Sequence, residues 1–198
     1  MNISGLYIHI PFCESKCHYC DFYSETSLVK KNELVNAIAR EINDESDFLN
    51  DVKPPLFSVY FGGGTPSLLN EDDLKKIFGY ISRSYYVSEC EEITIEANPD
   101  DLTPEYIRML RKFPFNRISI GVQSFNDDEL KAINRRHSAK QAEQAVLDCY
   151  EAGFRNISID LMYGLPGQTL DSFKKSVDKA LDLPVSHLSS YALSWEEG

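Results

Sequence analysis

Short apolar runs alternate with longer amphipathic stretches along the whole chain. Six runs rich in β-branched and aromatic residues predict strands at 6–10, 56–61, 92–97, 117–122, 157–162 and 187–193. In the stretches between them, apolar residues recur every three or four positions, which predicts helices with one buried face. Strands that alternate with helices in this way are typical of β/α units around a parallel sheet.

Short polar side chains stand where the predicted helices begin. Asn70 precedes an acidic first turn, Thr103 precedes a proline, and Ser138 has capping-box spacing to a glutamine three residues later. Thr169 marks the start of another helix, and a first helix is predicted at about 29–42. These caps support the same succession of elements.

The number of units limits the architecture. Six units share 198 residues, about 33 each, which is close to the ~30 residues that a β/α/β unit needs. A complete eight-unit barrel takes about 250 residues, and no helix follows the last predicted strand. We therefore predict an α/β fold, an open partial (β/α)6 TIM-like barrel of parallel strands, with residues 1–198 as one domain. A flat doubly wound sheet has the same periodicity and is the alternative.

Charge and hydropathy narrow the classes of partner. The chain has 31 acidic and 20 basic residues, a formal net charge of −11, which disfavours nucleic acid and anionic lipid as ligands. It has neither a signal-peptide pattern nor an apolar stretch of ~18 residues that would span a bilayer. We expect a cytoplasmic protein that meets membranes only through a partner.

Three of the five cysteines lie in one loop after the first predicted strand. Cys13, Cys17 and Cys20 have the spacing C-x3-C-x2-C, and in a reducing compartment such clustering favours a metal over disulfides. Three thiolates suit three corners of a cubane iron–sulfur cluster and leave the fourth iron open to a small molecule. A zinc site completed by His9 or His18 is the alternative.

Four sequence motifs accompany the cysteine loop in order along the chain. They are YIHIPF at 7–12, FGGGTPS at 61–67, GVQSF at 121–125 and DLMYGLPGQ at 160–168. Glycines at a strand end let a ligand approach the backbone and expose N–H groups to a carboxylate. Together these motifs resemble the radical S-adenosylmethionine (SAM) proteins of the oxygen-independent coproporphyrinogen III oxidase group, and the resemblance covers almost the whole chain.

The resemblance implies a set of cofactors and the residues that would hold them. Cys13, Cys17 and Cys20 would ligate a [4Fe–4S] cluster whose open iron binds SAM, and a second SAM molecule belongs to the same pattern. An electron donor of the flavodoxin or ferredoxin type is implied as well. The residues expected at SAM are Tyr7, Tyr19, Gly63, Gly64, Thr65, Glu96, Gln123, Arg135 and Asp160.

The residues by themselves leave simpler roles open at these positions. The glycine run also suits a tight strand-to-helix turn, and Glu96 also suits the surface of a strand. Asp160 would equally fit a paired polar group inside the barrel, and Arg135 a solvated helix residue. Arg136, its neighbour, is an alternative to Arg135.

Two features separate the branches of this family. The oxidases carry a further cysteine soon after the third one and a longer N-terminal segment, whereas here Asp21 and Phe22 follow Cys20 and the motif begins near Met1. Both differences favour the HemW-type heme chaperones, which bind heme and deliver it to recipient proteins. The oxidase, which decarboxylates coproporphyrinogen III, is the alternative, and a zinc-stabilised binding module is a distant one.

We therefore expect a protein of heme and porphyrin metabolism that binds a cluster and SAM and carries heme as cargo. Members of the group continue into a C-terminal domain after the sixth strand. Since the predicted strands end at 187–193, we expect a truncated chain without that domain.

Overall fold

Six parallel strands form one sheet in the computed structural model, which describes residues 4–21, 23–48 and 53–194. Their spatial order follows the chain order from first to last. A doubly wound sheet reverses its order at a switch point, so that alternative is excluded and the open partial barrel is confirmed. The strands are β1 Gly5–Ile10, β2 Ser58–Gly63, β3 Glu92–Ala97, β4 Arg117–Gln123, β5 Asn156–Tyr163 and β6 His187–Ala192.

The helices begin where the polar caps predict. Asn70, Ser138 and Thr169 each close a capping box, and the Thr103 hydroxyl accepts a hydrogen bond from a backbone N–H in the first turn. These contacts satisfy N–H groups that a helix start leaves without partners. The helices are α1 Lys31–Asp44, α2 Glu71–Ser84, α3 Pro104–Leu110, α4 Asp127–Ala132, α5 Ala139–Glu151 and α6 Leu170–Leu181.

Three elements differ from the sequence prediction, and one is helix α1, which begins and ends two residues later than the expected 29–42. Strand β2 lies two residues further along than predicted, because Gly62 and Gly63 pair in parallel register with His9 and Ile10. Helix α4, capped by Asn126, was not predicted. Its six residues are too few for a periodic apolar pattern to be visible.

The two faces of the sheet have opposite polarity. Ile10, Phe61, Ile95 and Ile120 are fully buried and belong to one apolar core together with the helices. Successive side chains of a strand point to opposite faces, so the residues between them, such as Glu96, lie on the other face. That inner face is lined by tyrosine, serine and carboxylate side chains and is open at the carboxyl ends of the strands. No described helix is long and apolar enough to cross a membrane.

A buried carboxylate joins the loops that follow β4 and β5. Glu129 of α4 is 3% exposed, and its oxygens accept hydrogen bonds from Ser124 and Ser172 at 2.5 Å and from Gln168 at 3.0 Å. Gln168 in turn accepts a hydrogen bond from the N–H of Gly164 at 2.7 Å. No described cation pairs with Glu129, so these neutral donors compensate its charge.

Replacing Glu129 by alanine is expected to lower the free energy of unfolding by about 2–3 kcal/mol, because the buried Ser124 and the half-buried Ser172 and Gln168 lose an acceptor. The control is Glu143→Ala, which removes a half-exposed ion pair with Lys179 and is expected to cost less than ~1 kcal/mol. Urea denaturation followed by circular dichroism measures both. Equal losses in the two variants would contradict the role given to Glu129.

Candidate functional site

A cavity of about 190 Å³ opens at the carboxyl ends of the strands. Its walls come from the loop after β1, the glycine run at the end of β2, the inward face of β3 to β6 and the loop after α4. In barrels and open α/β sheets, ligands bind at this edge. The cavity is therefore the candidate site.

The structure brings together eleven of the twelve predicted site residues. The exception is Tyr7, which does not line the cavity: its side chain is 57% exposed, and its hydroxyl lies 3.2 Å from Nδ1 of His9. The residues that line the cavity are Cys13, Cys17, Tyr19, Cys20, Gly63, Gly64, Thr65, Glu96, Gln123, Arg135 and Asp160.

The cysteine loop is anchored to the barrel at several points. The N–H of Cys13 donates to the carbonyl of Glu25, and the side-chain amide of Asn134 donates to the carbonyl of Lys16 at 2.9 Å. Two thiols also have donors beside them. Thr65 Oγ1 lies 3.4 Å from Sγ of Cys13, and an Arg135 nitrogen lies 3.6 Å from Sγ of Cys17. The loop thus presents its sulfurs to one cavity.

The glycine run after β2 lets its backbone lie close to the cysteine loop, but two of its N–H groups already donate hydrogen bonds within the protein. The N–H of Gly63 donates to Glu96, and that of Gly64 donates to the carbonyl of Ile10 at 2.8 Å. Both N–H groups thus have partners within the protein, and the partner of Gly63 is a carboxylate. A Cβ at position 64 would lie 3.0 Å from Sγ of Cys13 and 2.7 Å from the Phe12 carbonyl. Only glycine lets the backbone come this near to the cysteine loop.

These residues fit an iron–sulfur cluster better than zinc. Thiolates are the ligands such clusters use, and all three loop cysteines lie outside disulfides and are partly exposed on the same cavity. Neither His9 nor His18, the residues that would complete a zinc site, lines the cavity. Among the described residues, no group of three His, Cys, Asp or Glu side chains is spaced to hold a single metal ion.

Arg135 is half-buried in the cavity wall, so it is not a solvated helix residue. It follows α4 in a loop, and its guanidinium donates to the carbonyl of Gly121 and to Oδ1 of Asn98 at 2.8 Å. Its Nε is buried and has no hydrogen-bond partner among the described residues. Arg136 forms ion pairs with Glu14 and with two aspartates at the rim. Both arginines line the cavity, but Arg135 bonds to neutral groups of the sheet and the loops, whereas Arg136 pairs with carboxylates.

Two carboxylates of the sheet face this cavity, one from β3 and one from β5. Burial raises the pKa of Glu96, although hydrogen bonds from Tyr60 at 2.6 Å and from the N–H of Gly63 at 3.2 Å oppose that shift. Burial also raises the pKa of Asp160 to about 6, and the negative charge of Glu96 adds to the effect. Groups with such shifts inside a cleft are typical of functional sites. The pair would favour a cationic group of a ligand.

Gln123 reaches the cavity through an unusual backbone conformation. Its φ of 72° lies in the left-handed region, where the register of β4 with β5 shifts. Nε2 of His137 lies 2.7 Å from the carbonyl of Val122 and holds the chain just before the turn. The side-chain oxygen of Gln123 accepts a hydrogen bond from Tyr191 at 3.0 Å. The turn thus fixes the amide at the mouth.

Sequence reasoning missed three residues of this site. Tyr60 contacts Glu96, Asn98 contacts Arg135, and Tyr191 contacts Gln123. Each of these contacts joins strands or loops that are distant in sequence, so no local pattern indicates it. The one signal in the sequence is that all three residues lie in, or directly after, predicted strands.

Comparisons with known proteins identify the same family as the sequence motifs. The model of a family described as the Radical SAM superfamily matches residues 7–180. A Bacillus subtilis protein named heme chaperone HemW is 43% identical over 96% of this chain and 50% of its own length. The Escherichia coli protein of that name is 34% identical over 97% of this chain and 51% of its own. The chain thus spans about half the length of the curated relatives it matches.

Solved structures have the same fold. Coproporphyrinogen III oxidase (HemN) from Escherichia coli, described as a radical SAM enzyme, has a TM-score of 0.88 at 29% identity, over 97% of this chain and 44% of that one. A structure described as native anSMEcpe with bound AdoMet has a TM-score of 0.69 at 15% identity, over 98% of this chain and 54% of that one. At that lower identity the likeness concerns the fold alone.

Replacing Gly64 by alanine is expected to reduce the iron and sulfide incorporated by anaerobic reconstitution, because the new Cβ would displace Cys13. Gly79→Ala is the matched control, since a Cβ there meets nothing within 4 Å and should stabilise α2 by about 0.5–1 kcal/mol. Iron and sulfide assays of both variants provide the measurement. Full incorporation in Gly64→Ala would contradict the close approach described above.

Proposed function

The chain belongs to the radical SAM superfamily, and on that premise we propose that Cys13, Cys17 and Cys20 hold a [4Fe–4S] cluster beside a SAM site. The observation that carries the proposal is the single cavity that the three thiols share with Glu96 and Arg135. When bound, the cluster supplies the electron for reductive cleavage of SAM. The chain itself supplies position, charge and shelter from solvent.

The polar groups of the cavity match the charged groups of SAM. Glu96 would accept the ammonium group, because both of its oxygens are fixed by other donors and it has no ion pair among the described residues. The guanidinium of Arg135, which lines the cavity, would donate to an anionic or carbonyl oxygen. Gln123 and Asp160, further along the same edge, would contact the ribose or a second SAM molecule. Tyr19 and Thr65 complete the wall.

We propose that the whole protein acts as a heme chaperone, with heme as cargo and with recipient proteins and a flavodoxin- or ferredoxin-like electron donor as partners. Support comes from the curated relatives of that name. Asp21 follows Cys20 where the oxidases have a further cysteine nearby. Phe22, the other member of that pair, lies outside the described residues. A cytoplasmic location, with membranes reached only through a partner, goes with this proposal.

The second candidate is the coproporphyrinogen III oxidase activity. The observation that favours it is the close structural likeness to HemN. The two candidates differ in what they require: a chaperone needs saturable heme binding, whereas the oxidase needs turnover of a porphyrinogen.

The test uses the full-length protein, purified and reconstituted without oxygen. We expect saturable heme binding, an electron paramagnetic resonance signal of the reduced cluster that changes with SAM, and no appreciable conversion of coproporphyrinogen III. Conversion with no heme binding would exclude the chaperone in favour of the oxidase. A cluster signal unaffected by SAM would argue against the SAM site itself.

The Cys17→Ala variant is expected to lose the cluster, because two remaining thiolates do not hold a cubane stably. Absorption near ~400 nm, typical of sulfide-to-iron charge transfer, should disappear, and bound iron should fall with it. Cys149→Ala is the matched control, since Cys149 lies on α5, is buried in the apolar core and does not line the cavity. A full cluster spectrum in Cys17→Ala would show that the ligand assignment is mistaken.

A further inference from the structure

The Tyr60 side chain makes a contact that the sequence motifs do not indicate. Its hydroxyl donates to Oε1 of Glu96 at 2.6 Å, while the N–H of Gly63 donates to Oε2 at 3.2 Å. Tyr60 is paired with Thr94 in the sheet, so Glu96 lies one diagonal position further along the neighbouring strand. The long side chain of tyrosine spans that diagonal.

The ring of Tyr60 is held in place by its neighbours. A Cβ at position 62 would lie 2.8 Å from Cε1 of Tyr60 and 3.0 Å from Cε2 of Tyr7, so the two rings occupy the space over Gly62. They stack on each other with centroids 5.9 Å apart and an interplanar angle of 24°. The hydroxyl therefore points at Glu96 from a fixed ring.

The charges around Glu96 do not neutralise it by direct contact. Arg117 on β4 lies 3.8 Å from Glu92 and 3.4 Å from the Thr94 hydroxyl, and in the described part of the chain Glu96 has no ion-pair partner. Asp160 on β5 adds negative charge, whereas His9 on β1 is a weak positive influence. Tyr7, also on β1, is a neutral neighbour whose pKa is raised by its own burial and by Glu96.

Hydrogen bonds must therefore keep this carboxylate ionised. A partly buried carboxylate loses hydration, which favours its protonated form, and donors to its oxygens oppose that effect. Burial raises the pKa of Glu96, and the hydrogen bond from Tyr60 is the largest opposing influence. Tyr60 is thus the side chain with the most direct control over this charge.

We propose that Tyr60 is a positioning residue for the cationic end of SAM, holding Glu96 ionised and aimed so that its remaining lone pairs accept the ammonium group. The proposal rests on the proposed function, since it takes the SAM site as given. Tyr60 does not itself line the cavity, so it acts through Glu96 and not by touching the ligand.

The test measures SAM affinity against pH for the reconstituted chain and its Tyr60→Phe variant, by calorimetry without oxygen. Phenylalanine keeps the ring and its stacking but removes the donor, so the pKa of Glu96 should rise. A proton then occupies Glu96 as the pH falls, and the ammonium group loses its acceptor. We expect affinity about tenfold weaker than wild type near pH 6, recovering to within about twofold near pH 8.5.

Two comparisons separate this effect from general damage. Tyr106→Phe removes a hydroxyl that donates to the carbonyl of Leu69 at 3.1 Å, on the helical side of the sheet, and should follow the wild-type profile. In a Glu96→Gln background, adding Tyr60→Phe should cause no further pH-dependent loss, because the ionisable acceptor is gone. Gly62→Ala, which pushes the same ring aside, gives a second route to the same profile should Tyr60→Phe not fold.

The results distinguish failure of the SAM site from failure of the role given to Tyr60. Wild-type protein that holds the cluster but does not bind SAM overturns the proposed function and this inference with it. If wild type binds SAM and Tyr60→Phe matches it, or is weaker by one constant factor at every pH, the SAM site stands and the role of Tyr60 is refuted.

Discussion

Two-residue alternation along parallel strands determines which side chains of this protein meet helices and which meet the cavity. Ile95 and Glu96 are neighbours in sequence, yet the first is fully buried in the apolar core and the second faces the inner side of the sheet. A one-residue change of register would exchange the two side chains, so that the Glu96 carboxylate would face the helices and the Ile95 side chain would face the site. The apolar packing outside the barrel therefore fixes the chemistry inside it.

The inner face of the sheet contains charged side chains whose burial lowers the stability of the fold. Glu96 and Asp160 both lose hydration here, and among the described residues Arg135 Nε is buried without a hydrogen-bond partner. Burial of such groups is costly unless something else compensates them. The compact helical core, with Phe61, Phe78 and Phe115 in mutual ring contact, stabilises the fold around them. A ligand that has both a positive and a negative group would pair with the carboxylates and with the guanidinium at the same time.

Local rules predicted most of the fold, because strands, caps and the cysteine spacing depend on residues near one another in sequence. The helix caps at Asn70, Ser138 and Thr169 are examples, and the cysteine loop is another. What the sequence could not predict depends on register between distant segments. The contact of Tyr60 with Glu96 joins residues 36 positions apart, and the hydrogen bonds of Arg135 to Asn98 and Gly121 depend on how one loop meets the strands. Periodicity contains no information about either.

The left-handed backbone at Gln123 restricts how this position can change during evolution. Its φ of 72° favours glycine or asparagine, yet its amide is needed to accept the hydrogen bond from Tyr191. Glycine would relax the backbone and abolish the amide, while a β-branched residue would satisfy neither demand. Two independent structural requirements therefore meet at one residue, and asparagine is the substitution that comes nearest to satisfying both.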